Sequence, residues 1–229
     1  MSQALALTPS PSTPRAPYHA LQHGYQLGEL NEWSKKTDTE LAVHVPLLMR
    51  VPWKRASLGQ RTQVKAELVD LYRTLVDLAG LPVADVQGSV QGTSLAGAFD
   101  APTALPAPLA EKVAYSQIGR CACGSQYKNH SHECGANACC KVPLAAFNYM
   151  GYTMRTAAER FTAWVPFDNA TLRVDWNRSV ALELYDLTDD DGRDFDFAGY
   201  SSNLALDPAY ASRVDELLPQ LKAAVESWY

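Results

Sequence analysis

Alternating apolar and polar residues mark several segments in the second half of the chain as β-strands. The segments YMGYTMRT and RFTAWVPF are rich in aromatic and β-branched residues, and the AAE between them favours a hairpin. The segment ALELYDLT shows the same alternation and is expected to be a third strand of one antiparallel sheet. KVAYSQI is a further strand candidate.

Helical periodicity occurs first in RTQVKAELVDLYRTLVDLAGLP, where apolar residues recur every three or four positions. These apolar positions are Val64, Leu68, Leu71, Leu75 and Leu78. Gly80 stands where a C-terminal cap belongs, and Pro82 prevents any continuation of the helix. The segment therefore predicts an amphipathic helix.

A second helix is predicted near the end of the chain, where Asp207 supplies an N-cap and Pro208 the first helical position. Its apolar face comprises Val214, Leu217, Leu218, Leu221 and Val225. Pro219 lies inside this helix and is expected to bend it or split it.

The remaining segments complete a predicted order of strand, helix, loop, small antiparallel sheet and helix. HVPLLMRVP, His44 to Pro52, indicates a buried strand, and residues 83–110 are typical of a long surface loop. We predict a disordered tail over residues 1–20, an α/β part over residues 21–110 and a C-terminal subdomain over residues 111–229. The fold class is α/β, with a small antiparallel sheet and a C-terminal helix.

Composition excludes some classes of function. The chain has 229 residues, of which 47% are hydrophobic and 20% charged, and its formal net charge is -5. These values suit a globular protein and argue against a nucleic-acid partner. No apolar run approaches the roughly 20 residues that a membrane helix needs, so no membrane partner is expected.

Cysteines and glycosylation motifs favour a secreted or luminal protein. All five cysteines lie between Cys121 and Cys140, and three sequons begin at Asn129, Asn169 and Asn177. The first seventeen residues lack the features of a signal peptide. Both facts fit if the natural N-terminus is absent from this chain.

The cysteine-rich segment at residues 121–140 leaves three alternatives open. Its cysteines could form disulfides, could bind zinc together with His130 and His132, or could remain free thiols. Disulfides are the simplest interpretation for a luminal protein, and the spacings match no common zinc module. One cysteine of the five must stay unpaired or pair with another chain.

A few charged residues are candidates for chemistry. His23 is flanked by Gly24, and Lys35 with Lys36 could bind an anion, although such a set is more often an ordinary surface loop. Arg155 and Arg160 flank the predicted hairpin turn and could bind a carboxylate or a sulfate. A solvated sheet surface is the favoured alternative for these two arginines. The acidic residues 189–196 fail the EF-hand spacing and are expected to be a solvated turn.

Several motifs in order resemble the sulfatase family, and within it the iduronate-2-sulfatase branch. They are HGYQLGELNEWSKKTDTELAVHVPLLMRVP, ELVDLYRTLVDLAGLP, QGTSL, AYSQ, MGYTMRT, RFTAWV and ELYDLTDDDGRDFD with a following NLA. The resemblance covers about Gln22 to Ala205. It implies the C-terminal part of an alkaline-phosphatase-like sulfatase fold.

The resemblance also implies a chemistry. Sulfatases hydrolyse sulfate esters with a cysteine-derived formylglycine and a calcium ion, so a sulfated sugar of the glycosaminoglycan type is the expected partner. Lys35 matches the lysine that contacts the sulfate, and His23 matches a position in or next to the metal shell. Gln22 stands at the family's aspartate position, so calcium binding is expected to be weak or absent. The family's localisation is secreted or lysosomal.

Two departures from the family limit these expectations. The nucleophile motif Cys-x-Pro/Ala-x-Arg and the paired aspartates that hold calcium do not occur in this sequence. The chain is therefore expected to be inactive alone and to pair with an N-terminal half or another subunit. The alternatives are a non-catalytic module that binds sulfated glycan or a partner chain, and a zinc module at the cysteine-rich segment.

Overall fold

The computed structural model describes residues 16–29, 33–35, 37–85, 90–121, 147–190 and 202–228. The strands are β1 (Tyr18–Ala20), β2 (Gln26–Leu27), β3 (Trp33–Ser34), β4 (Leu47–Met49), β5 (Ala114–Cys121), β6 (Phe147–Arg155), β7 (Glu159–Asp168), β8 (Arg173–Val174) and β9 (Ala181–Asp186). The α-helices are α1 (Glu40–Val43), α2 (Asp70–Leu78), α3 (Ala107–Ala110) and α4 (Ala211–Glu226). Five short 3-10 turns complete the described elements; they are Arg55–Ser57, Val83–Asp85, Ala96–Phe99, Leu204–Leu206 and Pro208–Tyr210.

The predicted antiparallel sheet is confirmed in the second half of the chain. Strand β6 pairs with β5 on one side and with β7 on the other, and β7 also pairs with β8 and β9. The β6–β7 hairpin turns at residues 156–158, because Arg155 and Arg160 are the last paired positions before the turn. ALELYDLT supplies β9, as its alternation predicts.

One face of this sheet packs against α4 and forms the main core. Alternation places Tyr152 and Met154 of β6 and Phe161, Ala163 and Val165 of β7 on that face, and all five are buried. Four of the five predicted apolar positions of α4 are buried against them; they are Val214, Leu217, Leu221 and Val225. Burial of each such side chain contributes about 1.5–3 kcal/mol.

The C-terminal helix begins as the sequence predicts. The Asp207 carboxylate accepts a hydrogen bond from the Ala209 N–H at 2.9 Å, and Pro208 occupies the first position of a 3-10 turn that leads into α4. The helix runs through Pro219 without a break, so the predicted split does not occur.

The outer edge of β9 is closed by a side chain. Asn203 accepts a hydrogen bond from the Leu184 N–H at 2.9 Å and donates one to the Leu182 carbonyl at 2.9 Å. Its amide therefore replaces a neighbouring strand, which satisfies two backbone groups of a sheet edge. This gives the NLA motif a structural role.

The first half of the chain is built from shorter elements. Strand β1 pairs with β4, and β2 pairs with β3, both antiparallel. The prediction of a buried strand over His44–Pro52 is largely wrong, because β4 has three residues and Leu48 is 63% exposed. The tail predicted over residues 1–20 ends too late, since Tyr18–Ala20 form β1.

The helix predicted from RTQVKAELVDLYRTLVDLAGLP is present but short. It begins at Asp70, whose carboxylate accepts hydrogen bonds from the N–H groups of Glu67 at 2.8 Å and Thr93 at 2.7 Å. At its end Gly80 has φ +67°, and the Leu81 N–H bonds the Val76 carbonyl at 3.1 Å, as in a Schellman cap.

The side chains that α2 buries are not the predicted ones. Asp70, Thr74 and Val76 are buried, whereas Leu68 is 48% exposed.

The surface loop predicted over residues 83–110 is also wrong. Leu95 and Leu109 are buried in a second small core, with Ala98 between them in the sequence.

Candidate functional site

The candidate site lies on a hairpin formed by β2 and β3. The Lys35 Nζ lies 2.8 Å from the His23 Nε2, and the His23 Nδ1 lies 3.0 Å from the Gly24 carbonyl oxygen. Because a carbonyl only accepts, Nδ1 carries the proton and Nε2 accepts from the lysine. The structure thus brings together two of the residues that the sequence singled out.

The Lys35 ammonium is open to solvent and keeps two more N–H donors. Within the described ranges, no carboxylate lies at ion-pair distance from Lys35. A neutral imidazole orients this ammonium without neutralising its charge. The arrangement can bind an anion, which is the chemistry expected at this position.

Gly24 fixes the hairpin to the helix α1. Its N–H donates to the Ala42 carbonyl at 2.7 Å, and a Cβ built on Gly24 would lie 1.8 Å from the Leu41 carbonyl oxygen. Only glycine permits this approach of two backbones. The position of His23 therefore depends on where α1 is held.

Helix α1 is held by buried ion pairs with the sheet. The Arg160 Nη1 donates to the Glu40 Oε1 at 3.0 Å, and the Arg155 Nε lies 3.4 Å from the same oxygen. Both arginines are on the face of the sheet opposite α4, at paired positions of β6 and β7. Their exposed fractions are 9% for Arg155 and 2% for Arg160, so the prediction of a solvated sheet surface is wrong.

The Glu40 carboxylate stays ionised because its partners outweigh its burial. Burial raises the pKa of Glu40, but the hydrogen bond from His44 and the charges of Arg160 and Arg155 lower it further, to about 2. His44 in turn has a raised pKa, because its hydrogen bond to Glu40 favours the protonated ring over the effect of burial. The cluster therefore has three buried charges, Glu40, Arg155 and Arg160, and the exposed, titratable His44 at its rim.

A second carboxylate enters the same face of the sheet. The Thr153 hydroxyl donates to the Asp38 Oδ2 at 2.6 Å, and the Arg160 Nη2 lies 3.4 Å from its Oδ1. Burial raises the pKa of Asp38, and Arg160 together with Ser116 and Thr153 opposes the rise. Asp38 and Glu40 thus dock residues 38–44 onto β6 and β7.

Sequence reasoning missed Asp38 and Glu40, although one signal was present. Arginines near the ends of two otherwise apolar strands require carboxylates from elsewhere in the chain when they are buried. The acidic residues of TDTELAVH precede a strand and have no periodic pattern of their own. Nothing local indicates which carboxylates the arginines meet.

Other predicted site residues lie apart from the pair. Gln22 is exposed, and Lys36 and residues 122–140 of the cysteine-rich segment lie outside the described residues. Asp189 is exposed, as expected of a solvated turn, but Asp190 is half-buried beside Glu40 and His44, so the expectation is wrong at that residue. Residues 191–196 of the acidic run are outside the described ranges. None of the helices in the described part is long and apolar enough to cross a membrane.

The residues that the structure describes around His23 do not fit a calcium ion. Calcium takes six to eight oxygen ligands, whereas Gln22 offers one neutral oxygen and the His23 Nε2 already faces an ammonium. Within the described ranges, one group of three metal-ligating residues lies close together, and it is Glu40, His44 and Asp190. Its central carboxylate is ion-paired with arginines, which disfavours a cation there.

Comparison with known sequences gives two similar curated proteins. The chain is 30% identical to iduronate 2-sulfatase from Mus musculus over 200 residues, which cover 71% of this chain and 34% of that protein. The Homo sapiens iduronate 2-sulfatase is also 30% identical, over 199 residues. The chain spans about a third of the length of these relatives. No protein-family model matches it.

Comparison with solved structures identifies the fold. A protein solved in complex with its substrate D-glucosamine-2-N,6-O-disulfate matches 92% of this chain and 34% of its own, with a TM-score of 0.61 and 20% identity. A putative sulfatase from Bacteroides thetaiotaomicron matches 93% of this chain and 36% of its own, with a TM-score of 0.56 and 17% identity. The predicted fold class is confirmed by these neighbours together with the antiparallel sheet and its terminal helix.

Proposed function

The chain belongs to the sulfatase family, and on that premise we propose that its His23–Lys35 pair recognises sulfate esters. The observation that carries the proposal is the contact of 2.8 Å between the Lys35 Nζ and the His23 Nε2. It leaves an exposed, oriented ammonium that has N–H donors to spare. Such a group can hold two sulfate oxygens.

The proposed ligand is a sulfate ester of a sugar. The name of the curated relatives is that of a sulfatase, and one structural neighbour was solved with a disulfated glucosamine. Arg155 is a weaker candidate for substrate contact, since its guanidinium also donates to the Thr156 carbonyl at 2.7 Å and lies 9% exposed. We therefore assign sulfate recognition to Lys35, with His23 as its positioning partner.

We propose that the 229-residue chain binds sulfate esters without hydrolysing them by the family mechanism. The sequence holds no Cys-x-Pro/Ala-x-Arg motif from which a formylglycine could form. Turnover would then need a nucleophile supplied by a further polypeptide segment, either an N-terminal half or another subunit. A calcium ion is expected to contribute little to binding by this chain, because the described residues near His23 supply too few oxygens.

A titration with a sulfate ester tests this proposal. Glucosamine 6-sulfate is added to the purified chain and to the Lys35→Ala variant, and binding is followed by calorimetry or by NMR. We expect Lys35→Ala to weaken binding at least about tenfold, because a charge-assisted hydrogen bond contributes roughly 1.5–3 kcal/mol. Addition of a chelator should leave the wild-type affinity unchanged.

A matched variant controls for total charge. Lys222→Ala removes a lysine from α4, where it pairs with Glu226 at 3.9 Å, far from the hairpin in sequence. Equal weakening by both variants would show only a general charge effect and would remove the basis of the proposal. Release of sulfate by the pure chain would overturn the expectation that it does not hydrolyse esters.

A further inference from the structure

The β2–β3 hairpin has two faces of opposite character. Gln26 points inward and is fully buried, so its neighbours Tyr25 and Leu27 point outward. Leu27 pairs with Trp33, which places these two side chains on the same face. Lys35 directly follows β3, two residues after Trp33, and its ammonium contacts His23 before the start of β2.

The outward face is strongly apolar beside the ammonium. Tyr25 is 58% exposed, Leu27 66% and Trp33 59%. Two aromatic rings and an isobutyl group together form an exposed apolar patch. Exposed apolar patches that polar groups surround mark binding sites. The Lys35 ammonium, which directly follows β3, determines which ligands suit this apolar patch.

The Trp33 ring is supported by the turn. Gly28 has φ +124°, and a Cβ built on it would lie 3.3 Å from the Trp33 Cζ2. Glycine thus lets the indole ring lie close over the hairpin backbone while more than half of the residue remains open to solvent. A ring held in this way loses little conformational entropy when a ligand stacks on it.

We propose that Trp33 is a stacking platform for the pyranose ring of a sugar whose sulfate group is bound by Lys35. This inference rests on the proposed function of the His23–Lys35 pair. A sulfated sugar offers an anion together with the weakly polar C–H face of its ring, and the hairpin offers an ammonium together with an open aromatic face. Tyr25 and Leu27 complete the apolar surface.

Two ligands separate the role of Trp33 from that of Lys35. Inorganic sulfate carries the anion alone, and glucosamine 6-sulfate carries the anion and the ring. We expect Trp33→Ala to weaken glucosamine 6-sulfate binding about fivefold to tenfold, the usual range for loss of an aromatic contact. Inorganic sulfate should bind this variant as it binds the wild type. Trp33→Phe should restore most of the affinity for the sugar.

Trp53→Ala serves as the matched control, because Trp53 is also exposed, at 43%, but lies outside the hairpin. It should leave both affinities unchanged. Wild-type affinity of Trp33→Ala for the sugar sulfate would overturn the platform, and so would an equal loss for inorganic sulfate, which would mean that Trp33 only supports the hairpin. If Lys35→Ala has no effect on the binding of either ligand, the proposed function is wrong, and the role proposed for Trp33 is wrong as well because it rests on that function.

Discussion

The C-terminal sheet with α4 and the β2–β3 hairpin differ in how they treat their large side chains. In the first region, Phe161 of the sheet and Leu221 of α4 are completely buried. In the hairpin, Leu27 and Trp33 are more than half exposed. The sheet therefore supplies most of the stability, while the hairpin has little core of its own and leaves large apolar side chains exposed. Recognition on a short segment that a rigid scaffold positions is a common division of roles.

Helix α1 links the two regions through an ion pair with the sheet and a backbone hydrogen bond with the hairpin. Glu40 lies at the start of α1 and meets Arg160 of the sheet, while Ala42 of the same helix bonds the Gly24 backbone of the hairpin. A displacement of α1 would therefore disturb both its ion pair with Arg160 and its backbone hydrogen bond with Gly24. The comparison can be tested by weakening the sheet, the connection and the hairpin separately.

The largest effect is expected in the main core. Leu221→Ala should lower the free energy of unfolding by about 2–5 kcal/mol, because it removes buried methyl groups and leaves a cavity. Leu27→Ala, which deletes the same groups from a side chain 66% exposed, should change it by less than about 0.5 kcal/mol. Urea unfolding followed by circular dichroism measures both. Similar losses in the two variants would refute the comparison.

The next largest effect is expected at the ion pairs that hold α1 on the sheet. Glu40→Gln should lower the free energy of unfolding by about 3 kcal/mol, since it leaves two buried guanidinium groups with a neutral partner. Glu216→Gln is the matched control, because this carboxylate is 56% exposed. Chemical unfolding at neutral pH gives both values. A Glu40→Gln variant as stable as the wild type would show that the ion pairs do not hold α1.

The same carboxylate predicts an acid dependence. The pKa of Glu40 is lowered from its ordinary value of 4.5 to about 2 in the folded chain, so its contribution is complete above about pH 4.5 and disappears as the pH falls through about 2. Asp38, whose pKa is raised, acts in the opposite direction. The midpoint of unfolding of the wild type should therefore fall more steeply than that of Glu40→Gln over this range. Parallel curves would contradict the assignment.

A selective effect is expected at the contact between the hairpin and α1. Gly24→Ala places a Cβ 1.8 Å from the Leu41 carbonyl oxygen, so the backbones must separate and His23 must move. Sulfate-ester binding should weaken about tenfold, whereas unfolding of the main core should change by no more than about 1–2 kcal/mol. Gly97→Ala, where the nearest atom is a side-chain carbon at 3.4 Å, controls for the substitution itself. Unchanged binding by Gly24→Ala would separate the hairpin from α1.

The smallest effect is expected at the rim of the ion cluster. The pKa of His44 is raised above 6.5 by its hydrogen bond to Glu40, so its contribution is complete below about pH 6.5 and is lost as the pH rises through the folded value. The His44 side chain is 55% exposed, so the contribution should stay below about 1 kcal/mol. His44→Asn should flatten the stability curve between pH 6 and pH 8. An unchanged curve would show that His44 does not titrate against Glu40.

Local patterns were sufficient for the main sheet and for α4. The period of two in β6, β7 and β9 and the helical period of α4 follow from side-chain geometry within each element, so they can be recognised without a partner. Gly80 and Asp207 also act locally, and both caps were predicted. The pattern failed for α2, because Asp70 begins the helix by binding the distant Thr93 backbone.

The sequence by itself determined the family, the sheet and the final helix, and it predicted His23 and Lys35 as site residues. Only the tertiary structure decided that these two side chains are in contact, that Trp33 of the same hairpin is exposed, and that Arg155 and Arg160 are buried. The bonds from Asp38 to Thr153 and from Glu40 to Arg160 join residues 115 and 120 positions apart. No local period encodes a contact at that separation, because the partner of a buried charge is selected by the packing of the whole chain.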